Sequence, residues 1–255
     1  MPRSPIPDRA DSTVEGLAKK SRSFLRADRY VVVLGLLAVV ILTNAFLVQG
    51  TAGMFFLLVM LVITLVVTLL TSDARWGTTA LAGIALTLAV GAGITAQAIG
   101  KVGDARIDFQ LAIIVMGVTI AVVIARRIVQ HPVVSVDTVA GAAAIYLVFG
   151  LVFAVLFAFV GDLLIVFDPS TVARTGLHPS AAEAFFVSAR TPLPSDFLYF
   201  SFVTLTTVGY GDLTAATQFG RMLSVCEALF GQLYLVTVVA LLISNLRPGS
   251  KTAEA

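Results

Sequence analysis

The stretch whose residue types offer chemistry is Thr204-Leu205-Thr206-Thr207-Val208-Gly209-Tyr210-Gly211-Asp212, set between two long apolar segments. Gly209 and Gly211 release the backbone to dihedrals that a Cβ would forbid. Such a run can turn successive carbonyl oxygens the same way, which no ordinary helix or strand does. At membrane depth, main-chain oxygens outside a helix or closed barrel are tolerated only where protein buries them or where they line a watery path. Coordination by backbone oxygen along such a path is the chemistry on offer. Other chemistries find no footing. There is no G-x-S-x-G, no H-E-x-x-H and no phosphate-cradling loop, and His131 and His178 are single residues without metal-ligand spacing, so no enzyme is expected.

The rest of the chain must position that run, and composition says in what medium. Of its 255 residues 58% are hydrophobic and only 13% charged, with a mean hydropathy of +0.98. Soluble domains run near 25% charged, so the chain reads as a membrane protein. A net charge of +2 is too small to suggest nucleic acid. The single cysteine, Cys226, cannot close a disulfide within the chain, and its place in an apolar run predicts a buried, inert thiol. Residues 1–29 hold seven basic and four acidic residues and three prolines, without an apolar run. They read as a solvated, basic cytoplasmic tail and not as a secretory signal.

Uncharged runs cover 30–48, 54–71, 76–100 and 109–125, each 17 to 25 residues long. Each is enough to cross about 30 Å of hydrocarbon as a helix. A fifth run covers 138–161, with an apolar extension to Phe167 broken only by Asp162. Segment 168–194 is mixed; Asp168-Pro169 and Thr191-Pro192-Leu193-Pro194 bound it and read as turn punctuation, and the structure between them is left open. Residues 195–206 are apolar but only about 18 Å long as a helix, too short to span. Ser195 suits the N-cap there and Asp196 the first turn. The sixth run, 222–246, carries one charge, Glu227, and an intramembrane carboxylate is a functional candidate by default. Its simplest role is a structural hydrogen bond to the short helix or to a neighbouring subunit; a modulatory, pH-sensing role is the alternative.

The expected fold is an all-α integral membrane protein, with six transmembrane helices, a re-entrant helix and a loop. Both termini then share a side. Placing it in the cytoplasm puts twelve of the 17 basic residues inside, which fits the positive-inside rule and a cell-membrane location.

Residues 196–245 resemble the pore domain of the tetrameric potassium channels, in the order pore helix, T-T-V-G-Y-G-D filter and inner helix. In that family a T-V-G-Y-G loop from each of four subunits replaces the hydration shell of K⁺ with carbonyl oxygens. A chance match to five specified residues is on the order of one in ten thousand for a chain of this length. Phe219-Gly220-Arg221-Met222 is similar to the family's aromatic-Gly-Arg start of the inner helix, Gly231 to its gating hinge, and Ser244-Asn245 to its inner-helix end. The first four helices match only in number, so 30–130 is expected to be a four-helix domain like a sensor domain without gating charges. The pore domain is expected at 138–246, with pore helix 195–206, filter 207–211 and inner helix 220–246. Residues 247–255 are expected to be a short cytoplasmic tail.

The resemblance implies a homotetramer among membrane lipids, with permeant K⁺ and no other cofactor. It implies that the main-chain oxygens of Thr207, Val208, Gly209 and Tyr210 hold K⁺, with the Thr207 hydroxyl closing the innermost site and Gly211 completing the ribbon. Val208 and Tyr210 side chains are expected to face away from the ions and pack behind it. Thr206, Asp212, Tyr199 and Val203 are expected to support the filter. Tyr199 stands where the family often has tryptophan and can offer its hydroxyl to Asp212, while Val203 stands where some bacterial members carry a Glu. The pore-helix macrodipole, about half a negative charge at its C-terminal end, is expected to favour a cation in mid-membrane. A voltage sensor needs roughly three or four gating charges per subunit on a membrane helix. The run 109–125 has none, and Arg126-Arg127 reads as an anchor, so weak or absent voltage dependence is expected. The alternatives are a potassium transporter with a filter-like loop and a non-conducting regulatory or structural channel subunit.

Overall fold

The computed structural model describes residues 29–47, 51–71, 102–130, 136–167 and 179–245. The expected third span at 76–100, residues 1–28 and 247–255 of the tails, His131 and His178 lie outside the described residues. The described elements are α1 (Arg29–Leu47), α2 (Thr51–Thr71), α3 (Val102–Gln130), α4 (Val136–Phe167), α5 (Ala181–Phe185), β1 (Phe186–Ser188), α6 (Asp196–Leu205), β2 (Leu213–Ala215) and α7 (Gln218–Asn245).

Among the described residues, three helical stretches are long and apolar enough to cross a membrane: Arg106–Arg126, Thr138–Phe167 and Gln218–Val238. α1 and α2 are apolar helices of 19 and 21 residues. α3 outruns its uncharged window at both ends; Arg106 is half-buried and Arg126 exposed, and charged residues at a helix end need not stop it. α4 likewise continues through Asp162. That carboxylate accepts a hydrogen bond from Gln110 Nε2 of α3 at 2.7 Å, so the polar group that interrupts the fifth run is paired across two helices.

α4 is the hub. It packs on α1, α3, α5, α6 and α7, while α2 lies against α1 and α3. Tyr30, Val33, Leu37 and Val40 of α1 recur at helical spacing and meet Met116, Ile120 and Ile124 of α3 in one buried cluster with Ala144 and Val148 of α4. Within hydrocarbon there is no water to expel, so van der Waals packing and small residues carry the association. Gly117 fits against Val152 and Gly150 against the Phe202 ring. Tyrosines add polar ties: Tyr234 Oη of α7 donates to the Ala142 carbonyl of α4 at 2.7 Å.

The segment before α6, whose structure the sequence left open, forms a short helix and a strand. Ser180 Oγ accepts the Glu183 amide at 3.2 Å, and Glu183 Oε2 accepts the Ser180 amide at 2.8 Å, a capping box that starts α5. These bonds hold the Glu183 carboxyl below the usual carboxylate range. The Ser-x-x-Glu spacing ahead of Ala184-Phe185-Phe186 was the readable signal. β1 then pairs antiparallel with β2, Phe186 opposite Ala215 and Ser188 opposite Leu213, a small two-stranded addition to the all-α expectation. Behind it Phe157, Phe185, Phe186, Phe197 and Phe200 form an aromatic cluster, with Phe186 centroids 4.9 Å from Phe185 and Phe197 and 5.1 Å from Phe200. Such pairs contribute about 0.5–1.5 kcal/mol each beyond the area they bury.

α4 reaches α5 through Gly161, where an added Cβ would land on the Ala181 carbonyl oxygen. Backbone cannot swing aside as a side chain can, so Gly161→Ala is expected to destabilise by about 1–3 kcal/mol through overpacking. Thermal unfolding in detergent checks this; an unchanged midpoint would contradict the close approach.

Candidate functional site

The site is built on α6. Its start is not capped by Ser195, which has helical dihedrals (φ −66°, ψ −20°) and makes no side-chain cap bond. Asp196 takes that place. It is 6% exposed, and its carboxylate accepts Arg190 Nη1 at 2.8 Å, Arg190 Nη2 at 2.7 Å and the Leu193 amide at 2.7 Å. A fork of this kind is charge-assisted and fixes direction as well as distance. The carboxylate also lies at the positive end of the helix dipole. The Asp196 hydrogen bond and charge push the Arg190 guanidinium above its ordinary range. Sequence reasoning missed Arg190, because it sits in an irregular loop where no periodicity marks a partner.

In the middle of α6, Ser201 is fully buried. Its hydroxyl lies 2.7 Å from the Gly150 carbonyl of α4 and 2.5 Å from Glu227 Oε1 of α7. Glu227 is 0% exposed, and its Oε2 has no hydrogen-bond partner among the described residues. At the end of α6 the Leu205 carbonyl accepts Tyr146 Oη at 3.2 Å. The same carbonyl faces Gly231, where an added Cβ would collide with it. α7 runs unbroken through Gly231, so this glycine has a packing role beside the hinge role implied by resemblance.

After Leu205 the chain leaves helix in a specific way. Thr207 takes φ +59°, Gly209 φ +56° and Gly211 φ +79°. The two glycines occupy the left-handed region freely; Thr207, β-branched, does so against its preference, which the sequence did not disclose. The amides fold back on the helix end. Thr207 N donates to Thr204 O at 2.9 Å, and Val208 N and Gly209 N both donate to Val203 O, at 2.9 and 3.3 Å. Val203 therefore supports the ribbon through its carbonyl. By contrast, the carbonyl oxygens of Thr207, Val208, Gly209 and Tyr210 accept no hydrogen bond among the described residues.

The ribbon is uncovered in the single chain. Tyr210 is 70% exposed and Val208 about half exposed. The Tyr210 ring lies parallel to Tyr199, with centroids 6.4 Å apart and 4° between planes. Tyr199 Oη donates to Asp212 Oδ1 at 3.2 Å. Thr206 closes the last turn, its hydroxyl donating to Phe202 O at 2.6 Å. A cleft of about 300 Å³ behind the ribbon is lined by Tyr199, Val203, Thr204, Asp212, Arg221 and Ser224 among others.

Beyond β2, Arg221 Nε donates to the Ala215 carbonyl at 3.0 Å and Thr217 Oγ1 accepts the Gly220 amide at 3.1 Å, which sets the start of α7. Most of the apolar surface of α7 is bare: Leu229, Phe230, Leu233 and Val236 are exposed. Cys226 is exposed with them. The expectation of a buried thiol fails because an apolar run in a membrane says nothing about which face a neighbour covers.

Residues 179–247 match the model of a family described as an ion channel. The match runs from the residue before the Ser180 cap to just past α7, with the left-handed ribbon near its centre, and it supports an ion channel resident in a membrane. No curated protein and no solved structure matches the chain.

Replacing Arg190 by Ala leaves Asp196 with its Leu193 amide alone. The expected result is faster amide hydrogen exchange at Leu193 and in the first turn of α6. Lys, a point charge without the fork, is expected to restore only part of the protection. Unchanged exchange in the Ala variant would show that Arg190 does not hold this helix end.

Proposed function

We propose that the chain is one subunit of a homotetrameric, K⁺-selective channel that conducts passively in the cell membrane, with both termini cytoplasmic and lipid around its outer helices. The observation that carries this reading is the split within the ribbon. The amides of Thr207, Val208 and Gly209 are spent on the end of α6, while among the described residues the oxygens of Thr207, Val208, Gly209 and Tyr210 have no donor. Such oxygens at membrane depth need a ligand, and dehydrated K⁺ is the ligand that a ring of carbonyls suits. The ion-channel match over the same residues supports it. The bare face of α7 supplies a surface that further copies of the chain would cover. In this reading the Thr207 hydroxyl closes the inner end of the row, Gly211 completes it, and Thr206, Asp212, Tyr199 and Val203 hold it from behind. No catalysis is proposed and no cofactor beyond the permeant ion.

The test is ion flux through the purified protein in liposomes, K⁺ against Na⁺, repeated on Gly209→Asp. Aspartate brings a Cβ and a charge to a left-handed position beside the row of oxygens. Selective K⁺ flux that Gly209→Asp abolishes is expected. Equal Na⁺ flux, or saturable flux that needs a co-ion, would contradict the channel reading. α3 carries no charge between Phe109 and Ala125, so current–voltage curves are expected to show almost no gating charge, far below the roughly three or four charges per subunit of a sensor. Steep activation would overturn that part.

A further inference from the structure

One hydroxyl stands between two oxygens in the buried middle of the site. Ser201 Oγ is 2.7 Å from Gly150 O and 2.5 Å from Glu227 Oε1, both within hydrogen-bonding range. A hydroxyl owns one proton and a carbonyl owns none. If Ser201 gives its proton to Gly150, the contact with Glu227 needs a proton from Glu227. The opposite assignment, Ser201 donating to an ionised Glu227, leaves Ser201 and Gly150 oxygens 2.7 Å apart with no hydrogen between them. It also leaves a negative charge in a residue that is 0% exposed, with Oε2 lacking a partner among the described residues. An unpaired ion there is far costlier than an unpaired neutral carbonyl.

The groups around it offer no cation to rescue the ion. From α4 the titratable neighbour is Tyr146, which interacts with Glu227 through charge and spends its hydroxyl on Leu205 O. From α6 the polar neighbour is Ser201, and no lysine, arginine or histidine among the described residues contributes to the electrostatics of Glu227.

We propose that Glu227 carries a proton which it donates to Ser201, pinning α4, α6 and α7 together behind the ribbon, and that losing this proton stops conduction; the second clause rests on the channel reading above. Glu227 is thus a positioning residue, acting through the helix that ends at the ribbon. When hydroxide removes the proton as water, the Ser201 proton turns to the carboxylate. The bond to Gly150 is lost, and a charge is left between packed helices.

The test uses the full chain in liposomes, comparing wild type with Glu227→Gln, whose amide donates at the same place and cannot ionise. Infrared difference spectra at neutral pH are expected to show a protonated carboxylic-acid band, shifted in heavy water, in wild type and not in the variant. K⁺ flux of wild type is expected to fall at least tenfold per pH unit above the acid's midpoint, and more steeply where several subunits must each keep the proton, while the variant stays flat. Absence of the band, or the same alkaline fall in both proteins, overturns the proposal. The band without K⁺ flux at any pH upholds the proton assignment and overturns the conduction clause together with the channel reading, so the two failures are separable. Should Glu227→Gln not assemble, Ser201→Ala removes the acceptor, and the band must persist at higher frequency; an unmoved band overturns the assignment.

Discussion

Backbone oxygens cannot stand unpaired in hydrocarbon, and the organisation of residues 179–245 follows from that constraint. A helix solves it along its length by pairing each carbonyl within itself. At Thr206–Thr207 the chain gives up this solution, turns left-handed, and commits the amides of Thr207, Val208 and Gly209 to the helix it has just left. What remains is a short row of acceptors that need something other than their own chain. In the proposed assembly, three further copies and a permeant ion supply it.

A ribbon of this kind has little stiffness of its own, and the surrounding contacts fix it at several points. Arg190 and Asp196 fix where α6 begins. Ser201 holds its middle against α4 and α7, and Tyr146 and Gly231 meet its final carbonyl. On the far side, the β1–β2 pairing and the phenylalanine cluster tie the strand after the ribbon to the segment before α6. α4 touches nearly every one of these elements. A long outer helix therefore serves as the frame against which a ten-residue helix is aimed.

The sequence made the ribbon legible because its chemistry is local: two glycines at fixed spacing, with their flanks, sit within nine consecutive residues. Long helices were legible because an unbroken apolar run has few other uses in a membrane. Non-local pairings were legible only in outline. Tyr199 meets Asp212 and Glu227 bonds the short helix as expected, but nothing around Ser201 announces that it is the partner, 26 residues from Glu227, or that it also meets Gly150, 51 residues away. Ser195 looked like a cap because serine often is one, yet a carboxylate with an arginine fork one residue on did the work. β1 and β2 are three residues each, too short for any alternation to register. Cys226 shows the general limit. Hydropathy reports that a residue avoids water, and in a membrane both lipid-facing and protein-facing positions do so.

The most direct measurement is an anomalous-scattering map of the assembled protein crystallised in Rb⁺, a heavier ion that stands in for K⁺. The account predicts peaks on a four-fold axis, each ringed by main-chain oxygens drawn from Thr207 to Tyr210 of four copies. A map with no axial peaks, or one that places residues 207–211 against lipid away from any symmetry axis, would contradict it.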